Sequence, residues 1–253
     1  KKKAAAEGEA EAAPADAETI RSTATPRRLK GVNVYYHTYS AEKPAALTAV
    51  KGLLDFARKA PLTPITTSHY AAIADSFYDV EFEVAGERDW LIRNRGALQT
   101  VRFEKADDLA VDPVASRGVV GQNRHAGALY VALDESVEVP RVVLASRADL
   151  AASMPRGHPV LVESRWRVRR LTMASACQYA FEAEGYGDGE FVWDNLSAGA
   201  HRVSARRGPE RLLSVEAKAD ADGRLDFVLP VDGLAPVSVT VECSSPELGE
   251  TSG

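Results

Sequence analysis

The sequence predicts an α/β segment followed by a β-rich region and then a β-sandwich. Three observations carry this. Between residues 31 and 78, short apolar runs alternate with stretches of helical periodicity. From Val80 the apolar period changes from 3.6 to two. Beyond Pro159, about seven short strand-like runs are separated by Gly-, Pro-, Asp- and Ser-containing turns.

In order along the chain, residues 1–30 are Ala, Glu, Lys and Pro with almost no large apolar side chain. Such a segment cannot offset its ordering entropy and is expected to be a disordered tail or linker, with helix propensity at 7–13. The α/β segment with its β-rich extension is assigned to 31–150. Val32, Val34, Tyr35 and Tyr36 read as a buried strand ending at His37. Ser40 is the expected N-cap of a helix carrying Glu42 and Pro44 early and Leu47, Val50, Leu54 and Ala57 at helical spacing, stopped at Pro61. Residues 63–67, around Ile65, read as a second strand. Ser68 then caps a second helix to about Tyr78 with Ala72, Ile73 and Phe77 on its buried side. The first helix can serve as the crossover of a parallel pair, but two such units leave open edges, so this part reads as the end of something larger.

Val80, Phe82 and Val84 alternate with Glu81 and Glu83, and Trp90 and Ile92 follow Gly86, a hairpin signal. Leu98, Val101 and Phe103 give another extended stretch, and 117–121 and 128–133 read as paired strands around a loop at 122–127. A Pro/Gly/His segment at 154–159 marks a boundary. A sandwich domain is assigned to 160–243, with strands expected at 160–168, 177–183, 190–193, 202–206, 212–217, 225–229 and 237–243, a pattern of immunoglobulin-like type. Residues 244–253 are expected to be a second disordered tail.

A net charge of −5 in 253 residues argues against a nucleic-acid partner. Arg165, Arg167, Arg169 and Arg170, interleaved with Trp166 and Val168, read as the solvent face of a strand. There is no run of about 20 apolar residues, hence no expected transmembrane segment, and no apolar core follows Lys1, Lys2 and Lys3 as a signal peptide requires. Cys177 and Cys243 either pair in an oxidising compartment or remain as two buried thiols.

For chemistry, His37 stands out. It directly follows the expected strand and precedes a helix, and an imidazole there can exchange a proton near neutral pH. The run Val32-Asn33-Val34-Tyr35-Tyr36-His37-Thr38-Tyr39-Ser40, continued by Glu42-Lys43-Pro44-Ala45-Ala46-Leu47, Pro61-Leu62-Thr63-Pro64, Ser68 and Tyr70, resembles the last block of polysaccharide deacetylases. It is similar in particular to exopolysaccharide-modifying deacetylases of the Pel type. The runs Arg95-Gly96-Ala97-Leu98-Gln99-Thr100, Ser116-Arg117-Gly118-Val119-Val120-Gly121 and Arg124-His125-Ala126-Gly127-Ala128-Leu129-Tyr130 extend the resemblance. It implies a deacetylase-type β/α barrel ending in this chain, a polysaccharide substrate, and a periplasmic or cell-envelope location. It gives His37 the role of protonating the amine that leaves an N-acetyl amino sugar, with Tyr36 and Tyr39 flanking the sugar.

The same family implies a zinc-like divalent metal held by one aspartate and two histidines, with a second aspartate as base. The five histidines here, His37, His69, His125, His158 and His201, show no HxxxH, and no HExxH or CxxC occurs. Metal and base are therefore expected from an upstream part of the same enzyme or from an envelope assembly partner, and this chain alone is expected to be inactive. The alternative is a carbohydrate- or protein-binding accessory module without catalysis, with Trp166 and Trp193 as a sugar platform and the loop around His125 as a sugar contact. On residue statistics, aromatics within strands read first as core and the His125 loop as merely polar. The glycines at 185, 187 and 189 lack the following helix that a phosphate loop needs, and no G-x-S-x-G is present.

Overall fold

A computed structural model describes residues 31–60, 62–154 and 157–244. The expected tail at 1–30 with its helix propensity at 7–13, Pro61, and the expected tail at 244–253 apart from Ser244 lie outside the described residues; Ser244 is half-buried and its N–H donates to Ala200 O at 2.8 Å. The chain divides into two units, Lys1–Leu62 and Thr63–Gly253.

The first unit corrects the opening of the sequence reading. Residues 31–37 form no strand, although the backbone at His37 is extended. β-branched and aromatic residues favour extended backbone, but a strand exists only where a partner satisfies its amides, and the described residues of this unit supply none. A 3₁₀ turn, Thr38–Glu42, takes up Ser40 and Glu42. The helix α1 begins only at Pro44 and runs Pro44–Lys59. Its N-cap is Lys43 and makes no side-chain cap bond; Pro44 occupies the first turn, where its missing N–H is harmless. Arg58 and Lys59 in the last turn suit the negative end of the helix dipole. Leu47, Val50 and Ala57 are half-buried as expected, Leu54 is exposed, and no residue of α1 is buried.

The second unit is mostly β-sheet: fifteen strands among the described residues make three sheets. Residues 63–66 form no strand. They lead into α2 (Thr67–Asp79), capped by Thr66 rather than Ser68, with the His69 N–H donating to Thr66 Oγ1 at 3.1 Å. The one buried residue of α2 is Ser76, and Phe77 is exposed. With neither early strand formed, no parallel strand–helix–strand unit exists in the described residues.

The strands that follow are β1 (Glu81–Gly86), β2 (Asp89–Arg93), β3 (Thr100–Phe103), β4 (Leu109–Val111), β5 (Val119–His125), β6 (Ala128–Leu133) and β7 (Arg141–Ser146). A short helix α3 (Arg147–Ser153), capped by Ser146, precedes β8 (Val160–Ser164), β9 (Arg167–Ser175), β10 (Gln178–Glu184), β11 (Gly189–Asp194), β12 (Gly199–Arg207), β13 (Glu210–Ala219), β14 (Leu225–Leu229) and β15 (Val237–Cys243). The sheets run β1-β2-β7-β4, β14-β11-β8-β5-β6-β3 and β13-β12-β15-β10-β9.

The expected β1–β2 hairpin forms, with Phe82 opposite Ile92 and Val84 opposite Trp90. The expected loop at 122–127 shrinks to Ala126 and Gly127, both with positive φ as a tight hairpin turn requires. Its polar residues belong to β5 and act as cross-links: Gln122 accepts from Val111 N–H, Asn123 donates to Val162 O and Arg124 to Ala106 O. Residues 160–168, expected as one strand, break at Arg165 and Trp166, because β8 and β9 belong to different sheets.

Two cores result. One gathers Ile92, Val101, Val111, Leu129, Val131 and Val142 from the first seven strands. The other gathers Trp166, Tyr179, Phe181, Phe191, Trp193 and Val239 between the later strands. The six-stranded sheet belongs to both, joined by the parallel pairing of β5 with β8. No gap in the sheet therefore marks the boundary expected near 150–160. Gly121 makes the joint possible: a Cβ there would lie 2.0 Å from the Leu161 carbonyl oxygen. Trp166 is cradled in the same way by Gly185, Gly189 and Gly233, whose added Cβ atoms would fall 3.0 Å or less from its ring, and its indole N–H donates to Gly187 O at 3.1 Å. The glycines of this turn are thus a seat for an indole. Cys177 and Cys243 are disulfide-bonded, joining neighbours within one sheet rather than the two layers.

Candidate functional site

In the first unit His37 lies on the surface between two tyrosines. Its ring stacks on Tyr39 at 4.8 Å with an interplanar angle of 10°, and meets Tyr35 edge-on at 5.1 Å. The 3₁₀ turn sets this up: Ser40 N–H donates to His37 O at 2.9 Å, which folds Tyr39 back over the imidazole. Tyr35, Tyr36 and Tyr39 are all exposed. His37 is thus accessible and ring-flanked, although the strand expected to present it is not formed. Tyr35, which the sequence reading placed in the strand, supplies the edge contact; its signal is the alternation Tyr35, His37, Tyr39.

In the second unit, a shallow cleft at the start of α2 is lined by Thr66, His69, Arg167, Glu184, Tyr186 and Leu234, among others. Behind it runs a polar relay. The Gln99 amide donates to His69 Nε2 at 3.0 Å and also to Glu135. Glu135 accepts from Arg167 at 3.2 Å, and Arg167 also pairs with Glu184. Burial pushes the His69 pKa below its ordinary value, the Arg167 charge adds to this, and Glu135 partly opposes it. Accepting from Gln99 requires Nε2 without a proton, which fits the same direction. No local spacing in the sequence announces this relay, because its members come from α2, the segment before β3, the segment after β6, and the β9–β10 hairpin.

The arginine run also resolves into ion pairs. Arg170 bonds Glu182 at 2.7 Å and Arg169 bonds the same carboxylate at 3.1 Å, which together lower the Glu182 pKa against the opposing effect of burial. The expected solvent face of one strand forms only in part: Arg165 lies in the break before β9, Arg167 and Arg169 are half-buried, and Arg170 is exposed.

Several motif residues do structural work. The buried Arg95 donates to the carbonyls of Leu98, Asp134 and Val137 at 2.7–3.2 Å. Gly96 has φ +48° and leaves room for Ser76, whose hydroxyl accepts from Ala97 N–H at 2.8 Å and so pins α2 to this loop. Ser116 bonds both the N–H and the carbonyl of Val143. His125 ends β5 on the surface, and His201 is buried with Nε2 donating to Ser197 O at 2.8 Å. Trp166 and Trp193 are 2% and 0% exposed, so the first reading of these aromatics as core holds and the alternative of a sugar platform is overturned. Flat apolar rings bury more favourably between sheets than they bind from a surface.

Among the described residues no group of three or more His, Cys, Asp or Glu side chains is placed to hold a metal ion. The residues present do not by themselves fit the divalent ion that the resemblance implies, and no step is derived through one. Among the described residues no helix is long and apolar enough to cross a membrane. Comparison with family models, with curated proteins and with solved structures finds no match for this chain.

Proposed function

We propose that this chain is the C-terminal portion of a metal-dependent polysaccharide deacetylase that modifies an N-acetylated exopolysaccharide, with its β-sandwich, of immunoglobulin-like type, as an accessory domain. The observation that carries the reading is the accessible His37 held between Tyr35 and Tyr39 beside the exposed Tyr36. In this role the imidazolium gives its proton to the amide nitrogen as the carbon–nitrogen bond breaks, so that a neutral amine departs. Tyr36 and Tyr39 offer ring faces to the apolar sides of the pyranose. The water that attacks the acetyl carbonyl, and the groups that activate it, come from another segment or polypeptide. The half-buried apolar stripe of α1, which has no buried residue, is consistent with a surface that completes itself elsewhere. The Cys177–Cys243 bridge is of the kind that persists in an oxidising compartment, which supports an envelope location.

The test uses the chain with a pentamer of N-acetylglucosamine. Chemical-shift mapping of the protein's aromatic resonances is expected to show contact at the rings of Tyr36, His37 and Tyr39. Tyr39→Ala should weaken binding by roughly tenfold, the loss of about one ring–sugar contact. The chain alone should release no acetate, with or without added zinc. Acetate release by the chain alone, or contact confined to other residues, would overturn the proposal.

A further inference from the structure

The β1 edge of the four-stranded sheet has an unusual exposure. In β1, Glu81 through Ala85 are all exposed, on both faces of the strand. Phe82 is 50% and Val84 70% exposed, and Phe77 and Tyr78, just before the strand, are 71% and 87% exposed. Phe82 and Val84 lie on the same face as their partners Ile92 and Trp90, which reach the core. The apolar face of the sheet therefore runs outward past its own last strand. Edge strands are ordinarily blocked by lysine, proline, other charges, a bulge or a covering element; residues 81–86 hold no lysine or proline, the register shift lies at the turn end between Val84 and Gly86, and Glu81 and Glu83 are the charges the edge carries.

Charge selects the occupant. Residues 75–87 hold Asp75, Asp79, Glu81, Glu83 and Glu87 and no lysine or arginine. Arg93 neutralises Glu83 across the hairpin, and Glu81 accepts from Asn94. A second copy of this chain pairing edge to edge would set these acidic rows against each other, and like charges opposite one another on neighbouring strands are destabilising. A strand whose alternate residues are apolar and basic fits both faces at once.

We propose that β1 is a docking edge for an extended segment of a partner protein, added as a further strand, with apolar residues beside Phe82 and Val84 and a lysine or arginine beside Glu81, which is bonded to the uncharged Asn94 while Arg93 offsets Glu83. Main-chain bonds along β1 give affinity that depends little on sequence, and the alternating rows give selection. The inference is independent of the catalytic reading, since it rests on the second unit alone.

The probe is a fluorescent eight-residue peptide alternating valine with lysine, titrated against the whole chain, with a valine–glutamate peptide as control. The basic peptide should bind at least about tenfold more tightly than the acidic one, and more weakly as salt rises. Hydrogen exchange should slow at the amides of β1 when it binds. The Phe82→Ser/Val84→Ser variant leaves the charge unchanged and alters only exposed side chains, and should weaken binding by about tenfold while exchange in the core strands stays as in the parent. Absence of binding, equal binding of both peptides, protection elsewhere, or a concentration-dependent dimer through β1 would each overturn the proposal.

Discussion

Replacing Gly121 with alanine tests whether the two cores of the second unit depend on one backbone approach. An alanine Cβ would sit 2.0 Å from the Leu161 carbonyl oxygen and 2.6 Å from its carbon, where ordinary contact begins at 3.4 Å. Nothing flexible can yield, because the obstacle is the main chain of β8. The strands must open by about 1.4 Å at the point where β5 and β8 pair and the six-stranded sheet passes from one core to the other. Overpacking of this kind costs about 1–3 kcal/mol, and each weakened ladder bond adds about 1 kcal/mol. A total of about 3 kcal/mol lowers Tm by roughly 6–12 °C in a cooperative unit of this size. The assay is a thermal melt followed by circular dichroism, with Gly86→Ala as control. There the nearest obstacle is the Asp89 side chain at 3.2 Å, and a shift under about 2 °C is expected. If Gly121→Ala melts within about 2 °C of the parent, the joint is not the constraint argued here.

Two other outcomes are expected. The Cys177–Cys243 bridge spans a sequence separation of 66, so the chain-entropy estimate of its contribution is about 4 kcal/mol. The Cys177→Ala/Cys243→Ala variant should melt roughly 8–16 °C lower than the oxidised parent, and a fall under about 4 °C would count against the estimate. His69 and His158 both have pKa values lowered mainly by burial, with Asp112 opposing at His158. Above the ordinary histidine value of about 6.5 both folded and unfolded forms are neutral and nothing is lost. As pH falls below it, the unfolded chain takes up protons that the folded chain resists, so stability declines towards the lower folded values. Urea unfolding at pH 7.5 and pH 5 should show this decline, and His69→Gln/His158→Gln should remove part of it. An unchanged pH response in that variant would place the acid sensitivity in other groups.

Most of the strand content was legible because it depends on short-range alternation. The strands at 225–229 and 237–243 appear at the expected bounds, since an apolar row facing a sandwich core imposes a period of two that turn residues then interrupt. Strands β4 and β7 carry no such signal. β4 has three residues, and Val142, Val143, Leu144 and Ala145 of β7 run without alternation. The early helices were legible in existence and misplaced at their starts. Thr66 takes the second cap because its hydroxyl accepts from the His69 N–H, whereas the first helix starts after Lys43 with no side-chain cap, since Ser40 is taken up by the 3₁₀ turn and Pro44 suits the first helical turn.

The candidate site divides along the same line. His37 and its tyrosines lie within five consecutive residues, so their proximity is local in sequence, although Tyr35 is expected in a buried strand. The relay of His69, Gln99, Glu135, Arg167 and Glu184 is not local, because side chains up to 115 positions apart meet only after both cores have formed. The tryptophans read first as core because aromatics within strands usually are, and their packing agrees.

Taken alone, the amino-acid order determined the change from helical to strand periodicity, the turns, the acidic balance and the lack of any local metal-binding spacing, all properties of near neighbours along the chain. The tertiary structure decided that 32–36 is not a strand, that Cys177 and Cys243 are bonded, that Trp166 and Trp193 are buried, and that one sheet serves two cores. Those outcomes depend on which distant backbone groups and faces are available as partners, and no window of neighbouring residues contains that information.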